Sequence, residues 1–246
     1  MKKIVYLVTG VLAWISGLAL AETSGVDRVL KQLHDRGSDL KTLAADVVLK
    51  TADTELGDPD WDTRVGRMVV ERQPDGNTRL RVTFLRRERG NRVEQARREY
   101  VLDGEKLIER DYPEKRQVVR VVRKPDEKLD LFRLGEGPFP LPIGQPPDEV
   151  RKEFEVQEAR PDKPETGLTY IQLLPHNGRP MADRFSLILV GVNPEGWPVF
   201  VQTLDKNGVQ TTQARLSNLR INDPVDSKAF DLESIDDSWK KFEGGY

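Results

Sequence analysis

The spacing of apolar residues along the chain predicts one helix followed by a long series of strands. Apolar residues at helical spacing predict an amphipathic helix over residues 24–36: Val26, Val29, Leu30 and Leu33. Gly37 is suited to end that helix. From residue 43 onwards the apolar period falls to about two, which is typical of strands that bury one face. These patterns predict a mostly β (α+β) fold with roughly ten or eleven antiparallel strands in meander order.

The clearest alternation lies in two neighbouring stretches, residues 65–72 and 78–85, which a turn at 74–77 joins. Each stretch carries apolar residues on one face and polar residues on the other. A sheet this wide curls and forms a concave face. We predict that five inward-facing residues line an apolar cavity there: Met68, Val70, Leu80, Val82 and Phe84.

The remaining elements follow from weaker patterns. Residues 86–95 are predicted to form a charged loop, and residues 148–154 a short helix that begins after two prolines. Residues 229–232 are predicted to form a short final strand. Ile235, Trp239 and Phe242 are predicted to anchor a terminal helical turn.

The segment 129–143 combines the apolar density of a core with glycines and prolines that exclude a long helix or a paired strand. An irregular segment belongs near the surface, where it must cover something apolar. Two interpretations stay open: a lid over a bound apolar ligand, or a plug that closes one end of a barrel and binds nothing. Gly135 and Gly137 would serve as hinges. The predicted lid residues are Leu129, Leu131, Phe132, Leu134, Phe139, Leu141 and Ile143.

The first 21 residues have the pattern of a cleavable signal peptide. Two lysines precede an apolar run, and Ala19-Leu20-Ala21 suits signal peptidase. We therefore expect export to the periplasm and a mature chain over 22–246, organised as one domain with its lid at about 125–153. The chain contains no cysteine, so we expect neither a disulfide framework nor a lipid anchor.

The composition and the remaining motifs exclude several function classes. A formal net charge of −2 argues against a nucleic-acid binder. His34 and His176 lack metal-ligand spacing, and the stretch 58–62 begins like a calcium loop but lacks its glycine. No catalytic motif stands out, so we expect neither an enzyme nor a cofactor or metal site.

A basic stripe runs through the region that follows the second of the two clear strands. It comprises Arg86, Arg87, Arg89, Arg92, Arg97 and Arg98, and glutamates interrupt it. A solvated hairpin is one interpretation. A docking patch for anionic lipid headgroups or an acidic partner is the other.

The order of motifs resembles the LolA family, the periplasmic carriers of outer-membrane lipoproteins. The resemblance rests on LAADV at 43–47, GRMVVER at 66–72, DGEKL at 103–107 with Tyr112-Pro113, and LSNLRIN at 216–222 followed by Phe230. It implies a LolA-like half-open antiparallel β-barrel of about 11 strands, with an N-terminal amphipathic helix and a lid segment. It also implies that acyl chains of lipoproteins or other lipids bind in the concave apolar face.

In the family, an arginine at the end of the second strand hydrogen-bonds lid backbone, and Arg72 stands at the matching position. The resemblance therefore implies a lid-closing role for Arg72. The sequence departs from the family pattern at Gln73, which intervenes before Pro74, and at Ile108, which replaces a tryptophan. These departures leave open which lipid or lipoprotein the protein carries.

We therefore expect a monomeric periplasmic carrier that shuttles lipoproteins or lipids towards the outer membrane. The resemblance also implies an inner-membrane donor complex and an outer-membrane acceptor. The alternative is a non-catalytic envelope sensor or structural module that uses the same fold to bind lipid or a protein partner.

Overall fold

The computed structural model describes residues 25–54, 60–122 and 143–244. Among these residues, two α-helices, α1 (Gly25–Ser38) and α2 (Pro147–Glu153), accompany one sheet. The first six strands are β1 (Thr42–Asp53), β2 (Asp62–Arg72), β3 (Thr78–Arg89), β4 (Arg92–Asp103), β5 (Lys106–Asp111) and β6 (Arg116–Val121). The last six are β7 (Phe154–Glu158), β8 (Thr169–Pro175), β9 (Phe185–Val192), β10 (Pro198–Asp205), β11 (Gln210–Ile221) and β12 (Lys240–Gly244). Short 3₁₀ turns span Pro180–Asp183 and Ser227–Phe230.

All twelve strands belong to one sheet in the order β12-β6-β5-β4-β3-β2-β1-β11-β10-β9-β8-β7. Every neighbouring pair is antiparallel except β12 and β6, which are parallel. In the part of the chain that the structure describes, β12 and β7 do not pair with each other, so the sheet is open rather than closed. The predicted fold class is confirmed, with one strand more than the eleven expected.

The core lies on one face of this sheet, which we call the inner face. It is apolar because strand residues two apart point to the same side, and α1 adds its own apolar stripe. The stripe consists of Val26, Val29, Leu30 and Leu33, each no more than 8% exposed. The predicted helix is therefore confirmed, and α2 agrees with the predicted short helix to within one residue.

Two local predictions about turns were wrong. Residues 86–95 do not form a loop, because β3 and β4 extend to a tight turn at residues 90 and 91. Their charged side chains pair across strands, as Arg87 does with Asp62 at 2.7 Å and Glu94 at 3.6 Å. Gly37 does not end the helix either, since α1 continues to Ser38.

The C-terminal segment also differs from prediction. Residues 227–230 form a 3₁₀ turn instead of a strand, and Lys240–Gly244 forms a strand instead of a helical turn. Phe230 anchors the segment, because its buried ring lies under the Arg79 guanidinium at 4.2 Å. Trp239 packs edge-on against Tyr112, with ring centroids 5.1 Å apart. The segment therefore crosses the outer face of the sheet and adds β12 beside β6.

A buried ion network lies on the outer face beneath this segment. The Glu99 side chain is 1% exposed, and its carboxylate accepts hydrogen bonds from Arg81 at 2.8 Å, Arg97 at 2.9 Å and Tyr112 at 2.9 Å. Arg81 also donates to the backbone oxygen of Asp231 at 2.7 Å. The network therefore ties the centre of the sheet to the C-terminal segment.

Candidate functional site

The inner face carries aligned rows of apolar side chains across β1 to β4. One row runs from Leu43 through Val70 and Leu80 to Leu102. The next row runs from Ala45 through Met68 and Val82 to Tyr100. Directly opposed residues of antiparallel strands lie about 4.5–5.5 Å apart at Cβ, so each row is a continuous contact surface.

The five predicted lining residues all lie in this patch. The ladder pairs Met68 with Val82 and Val70 with Leu80, and Phe84 occupies the following row. Their exposed fractions are 2–4%. The structure therefore brings together the residues that the alternation selected, and their role in binding lipid stays a prediction.

Gly66 lets β2 and β3 approach closely beside Phe84. A β-carbon on Gly66 would lie 2.0 Å from the Thr83 oxygen and 2.7 Å from the Phe84 α-carbon. The pairing shifts by one residue at this point, which is the mark of a β-bulge. The bulge brings Arg87, rather than Arg86, opposite Arg64.

The helix α1 covers the inner face and is held there by contacts at both ends. Near its start, the Asp27 carboxylate forms an ion pair with Arg151 of α2. At its C-terminal end, the Arg72 Nη1 donates to the Gly37 carbonyl oxygen at 3.1 Å. The side chain of Arg72 shares a face with Val70 and Met68, as the alternation predicted. Its hydrogen bond joins the end of β2 to the cover of the inner face, and its role in closing a lid stays a prediction.

The last turns of α1 also hold the chain at residues 143 and 144. The Gly144 nitrogen donates to the Leu33 oxygen at 3.0 Å, and the His34 Nδ1 lies 3.1 Å from the Gly144 oxygen. A β-carbon on Gly37 would lie 2.1 Å from the Gly144 nitrogen, so glycine is required there. Ile143 is 2% exposed and belongs to the core. The predicted lid residues from Leu129 to Leu141 lie outside the described residues.

His176 caps α2. Its Nε2 lies 3.1 Å from the Arg151 carbonyl oxygen, and its backbone nitrogen donates to the Glu153 oxygen at 2.9 Å. Each histidine ring therefore contacts a backbone carbonyl oxygen. Within the described ranges, no three histidine, aspartate or glutamate side chains come together as a metal site.

A cleft of about 150 Å³ adjoins the apolar rows at the end of the inner face opposite Arg72. Its walls carry four arginines: Arg64, Arg87, Arg97 and Arg98. Three carboxylates also line it: Glu94, Asp111 and Glu114. The sequence indicated a basic stripe here but missed Arg64, which lies at the start of β2. The sequence pattern could have revealed it, because Arg64, Gly66 and Met68 are two residues apart and so share one face of β2.

Burial and ion pairing perturb the charged groups around this cleft. Hydrogen bonds from Arg87 hold the pKa of Asp62 below its ordinary value. Burial and the nearby Arg98 charge lower the pKa of Arg64. The pKa of Arg98 is raised, since its hydrogen bond to Asp111 helps to outweigh burial.

No protein-family model matches the sequence, and no curated protein sequence matches it either. Solved structures do match. A crystal structure of MucB is 11% identical, with a TM-score of 0.48, over 85% of this chain and 63% of the MucB chain. An uncharacterised conserved protein from Thermus thermophilus is 9% identical, with a TM-score of 0.46, over 90% of this chain and all of the other.

A LolA superfamily protein from Nitrosomonas europaea is 13% identical, with a TM-score of 0.34, over 84% of this chain and 97% of the other. The chain is similar to these proteins in fold alone. They include a protein of the family that the sequence motifs resemble. This chain spans less than two thirds of MucB. Neither helix in the described part of the chain has the length and apolar character needed to cross a bilayer.

Proposed function

We propose that this protein binds acyl chains of lipoproteins or other lipids on the inner face and carries them through the periplasm towards the outer membrane. The observation that carries the proposal is a continuous apolar patch covered by one amphipathic helix. Met68, Val82 and Phe84 form the middle of that patch. Each methylene removed from water contributes about 0.8 kcal/mol, so a patch of this kind suits an acyl chain.

The cover is a separate element that could open. The helix α1 forms no strand ladder with the sheet. Its polar contacts to other elements lie near its two ends: Asp27 at the start, and His34, Arg36 and Gly37 in the last turns. Opening would break these contacts and expose the apolar patch, and an incoming acyl chain would replace the apolar stripe of α1. The segment 129–143 would complete the cover, and Arg72 would hold it closed.

An alternative function is a non-catalytic envelope module that docks a protein partner. The closed packing of the described core favours it. The void beside Met68, Val201 and Leu216 measures only about 10 Å³, which is too small for an acyl chain. An acyl chain could enter at this point only if the core around it opened, whereas a structural module needs no such opening.

Photo-crosslinking distinguishes the two functions. The protein would be purified without detergent and incubated with palmitic acid that carries a diazirine near its methyl end. The carrier proposal expects labelled peptides from residues 65–72 and 78–84. Labelling confined to the exposed side chains Leu85, Val93 and Phe242 would contradict it. Native mass spectrometry with lipid extraction would identify a cargo that co-purifies.

Two isosteric variants provide a matched pair. Val82→Thr places a hydroxyl on the inner face, and Thr83→Val removes one from the neighbouring position on the outer face. The proposal expects weaker acyl labelling in Val82→Thr and unchanged labelling in Thr83→Val. Equal labelling in both variants would place the acyl chain elsewhere.

A further inference from the structure

The arginines of the 150 Å³ cleft differ in how well they are paired. Three of them hydrogen-bond a carboxylate: Arg87 bonds Asp62, Arg97 bonds Glu99, and Arg98 bonds Asp111. The fourth, Arg64, has no hydrogen-bonded carboxylate among the described residues. Arg64 is therefore the least well paired of the four arginines.

Only 15% of the Arg64 side chain is exposed. Its nearest carboxylate oxygen is Asp62 Oδ2 at 4.0 Å, beyond hydrogen-bond distance. That same oxygen already accepts from the Arg87 Nη2 at 2.7 Å. A desolvated cation without a hydrogen-bonded anion costs free energy, and the lowered pKa of Arg64 has the same origin.

A second donor nearby also lacks an acceptor. The Nε of Arg98 is buried, and no described group accepts a hydrogen bond from it. Buried donors normally have partners, so an unpaired one calls for an explanation. Arg64 and Arg98 both line the cleft, and their charges are close enough to repel each other. An anion between them would supply both missing acceptors.

The position of the cleft indicates what kind of anion this is. Arg64 precedes Met68 by four residues on β2 and so lies on the same face of the strand. Arg98 lies opposite Phe84 in the ladder between β3 and β4. Both arginines therefore lie on the face that carries the apolar patch, beside its Phe84 end. A ligand that spanned the cleft and the patch would be an amphiphile with an anionic head.

We infer that the cleft binds the phosphate group of a lipid whose acyl chains lie on the inner face, with Arg64 and Arg98 as its donors. This inference rests on the proposed function. Guanidinium groups suit tetrahedral phosphate because their planar N–H forks can bond two oxygens at once. Inorganic phosphate has the same chemistry, so the test below separates the two sources.

The test compares three ligands by isothermal titration calorimetry at constant ionic strength: dihexanoyl phosphatidic acid, inorganic phosphate and uncharged dihexanoylglycerol. The variants are Arg64→Gln and a control, Arg67→Gln, on the same strand. The Arg67 side chain is 80% exposed and faces the other side. We expect Arg64→Gln to bind phosphatidic acid at least tenfold more weakly, whereas Arg67→Gln binds it like the wild type. Dihexanoylglycerol, which has the same acyl chains without the phosphate, should bind all three proteins with equal affinity.

Other outcomes would overturn one part of the inference at a time. Equal affinity of wild type and Arg64→Gln for phosphatidic acid would exclude the site. Inorganic phosphate that binds as tightly as phosphatidic acid would overturn the lipid source and leave a free-phosphate site. If dihexanoylglycerol fails to bind while phosphate binding still depends on Arg64, the carrier function fails and the anion site stands.

One further variant guards against a folding artefact. Arg64→Lys keeps the charge but not the planar fork. We expect its affinity for phosphatidic acid to lie between those of the wild type and Arg64→Gln, with neither variant less stable in urea than the wild type. Full affinity in Arg64→Lys would contradict recognition by a planar fork.

Discussion

Gly37 and Gly144 are in contact at the point where the covering helix meets the chain that returns from residue 142. A β-carbon built on Gly37 would lie 2.1 Å from the Gly144 nitrogen and 2.7 Å from the Ile143 carbonyl carbon. These are backbone atoms, so they cannot rotate away as a side chain would. The helix and the returning chain therefore fit together only while residue 37 lacks a side chain.

Replacing Gly37 by alanine should loosen this junction. Alanine favours a helix interior by about 1 kcal/mol over glycine, but the clash with Gly144 should cost about 1–3 kcal/mol, as overpacking does in cores. We expect a lower urea midpoint for Gly37→Ala. Arg28→Ala, at an exposed position of the same helix, should leave the midpoint nearly unchanged. A higher urea midpoint for Gly37→Ala would show that the backbone around Gly144 shifts to make room for the methyl group.

Arg72 should control how readily α1 leaves the inner face. Arg72→Gln loses the charged hydrogen bond to the Gly37 oxygen, and such bonds contribute about 1.5–3 kcal/mol. We expect a lower free energy of unfolding and faster exchange of a bound fluorescent fatty acid in stopped flow. Arg67→Gln removes only an exposed ion pair with Asp46 and should change neither quantity much. If Arg72→Gln exchanged the fatty acid at the wild-type rate, Arg72 would not control the opening of α1.

Glu99 should make the free energy of unfolding depend on pH in the acidic range. Burial by itself raises its pKa, but hydrogen bonds from Arg81, Arg97 and Tyr112 together hold the pKa below its ordinary value. The folded protein then binds the proton less readily than the unfolded chain, so ionised Glu99 stabilises the fold above the unfolded pKa near 4.5. That stability is lost as the pH falls through the lower folded pKa.

The measurement is the free energy of unfolding between pH 5 and pH 3. We expect it to fall more steeply in the wild type than in Glu99→Gln, which should also be about 3 kcal/mol less stable near pH 7 because two arginines lose their anion. Glu195→Gln, at an exposed position, is the matched control and should follow the wild type. If the free energies of unfolding of the wild type and Glu99→Gln changed in parallel with pH, the lowered pKa of Glu99 would be contradicted.

The C-terminal segment should depend on a single aromatic anchor. Phe230→Ala removes a ring that is 4% exposed and should cost about 3 kcal/mol. We also expect faster proteolysis after residue 231, since the segment would detach from Arg79. Phe242 belongs to the same segment but is 51% exposed, so Phe242→Ala should change stability by less than about 0.5 kcal/mol. Equal effects of the two variants would argue against Phe230 as the anchor.

Alternation was a reliable guide wherever one face of a strand was apolar. It placed Met68, Val70, Leu80, Val82 and Phe84 on the inner face, and the structure agrees. It failed at residues 86–95, because both faces of that hairpin are charged and its pairing is visible only once Asp62 and Arg87 meet across strands.

Contacts between distant parts of the chain account for the other features that the sequence did not predict. Glycine is required at position 37 because the Gly144 backbone lies against it, and no local pattern reveals a neighbour more than a hundred positions away. The cleft combines Arg64, Arg87 and Arg98 from three strands, and the bulge beside Phe84 decides which of their neighbours face it. The β12 strand pairs with β6 through five residues that are all exposed, so it has no buried face to detect.

The pairing of β1 with β11 has a consequence for how the chain folds. Asp46 pairs with Ser217, about 170 positions later, whereas β2 to β6 and β7 to β10 are joined to their neighbours by local hairpins. Each group of hairpins can form as soon as its own residues are free, but the ladder that joins them must wait for almost the whole chain. Such distant pairing is slow, because loop-closure entropy is lost before contacts compensate for it. During synthesis the apolar edge of β1 therefore stays unpaired longer than any other part of the sheet, and a chain stopped before β11 would aggregate through that strand.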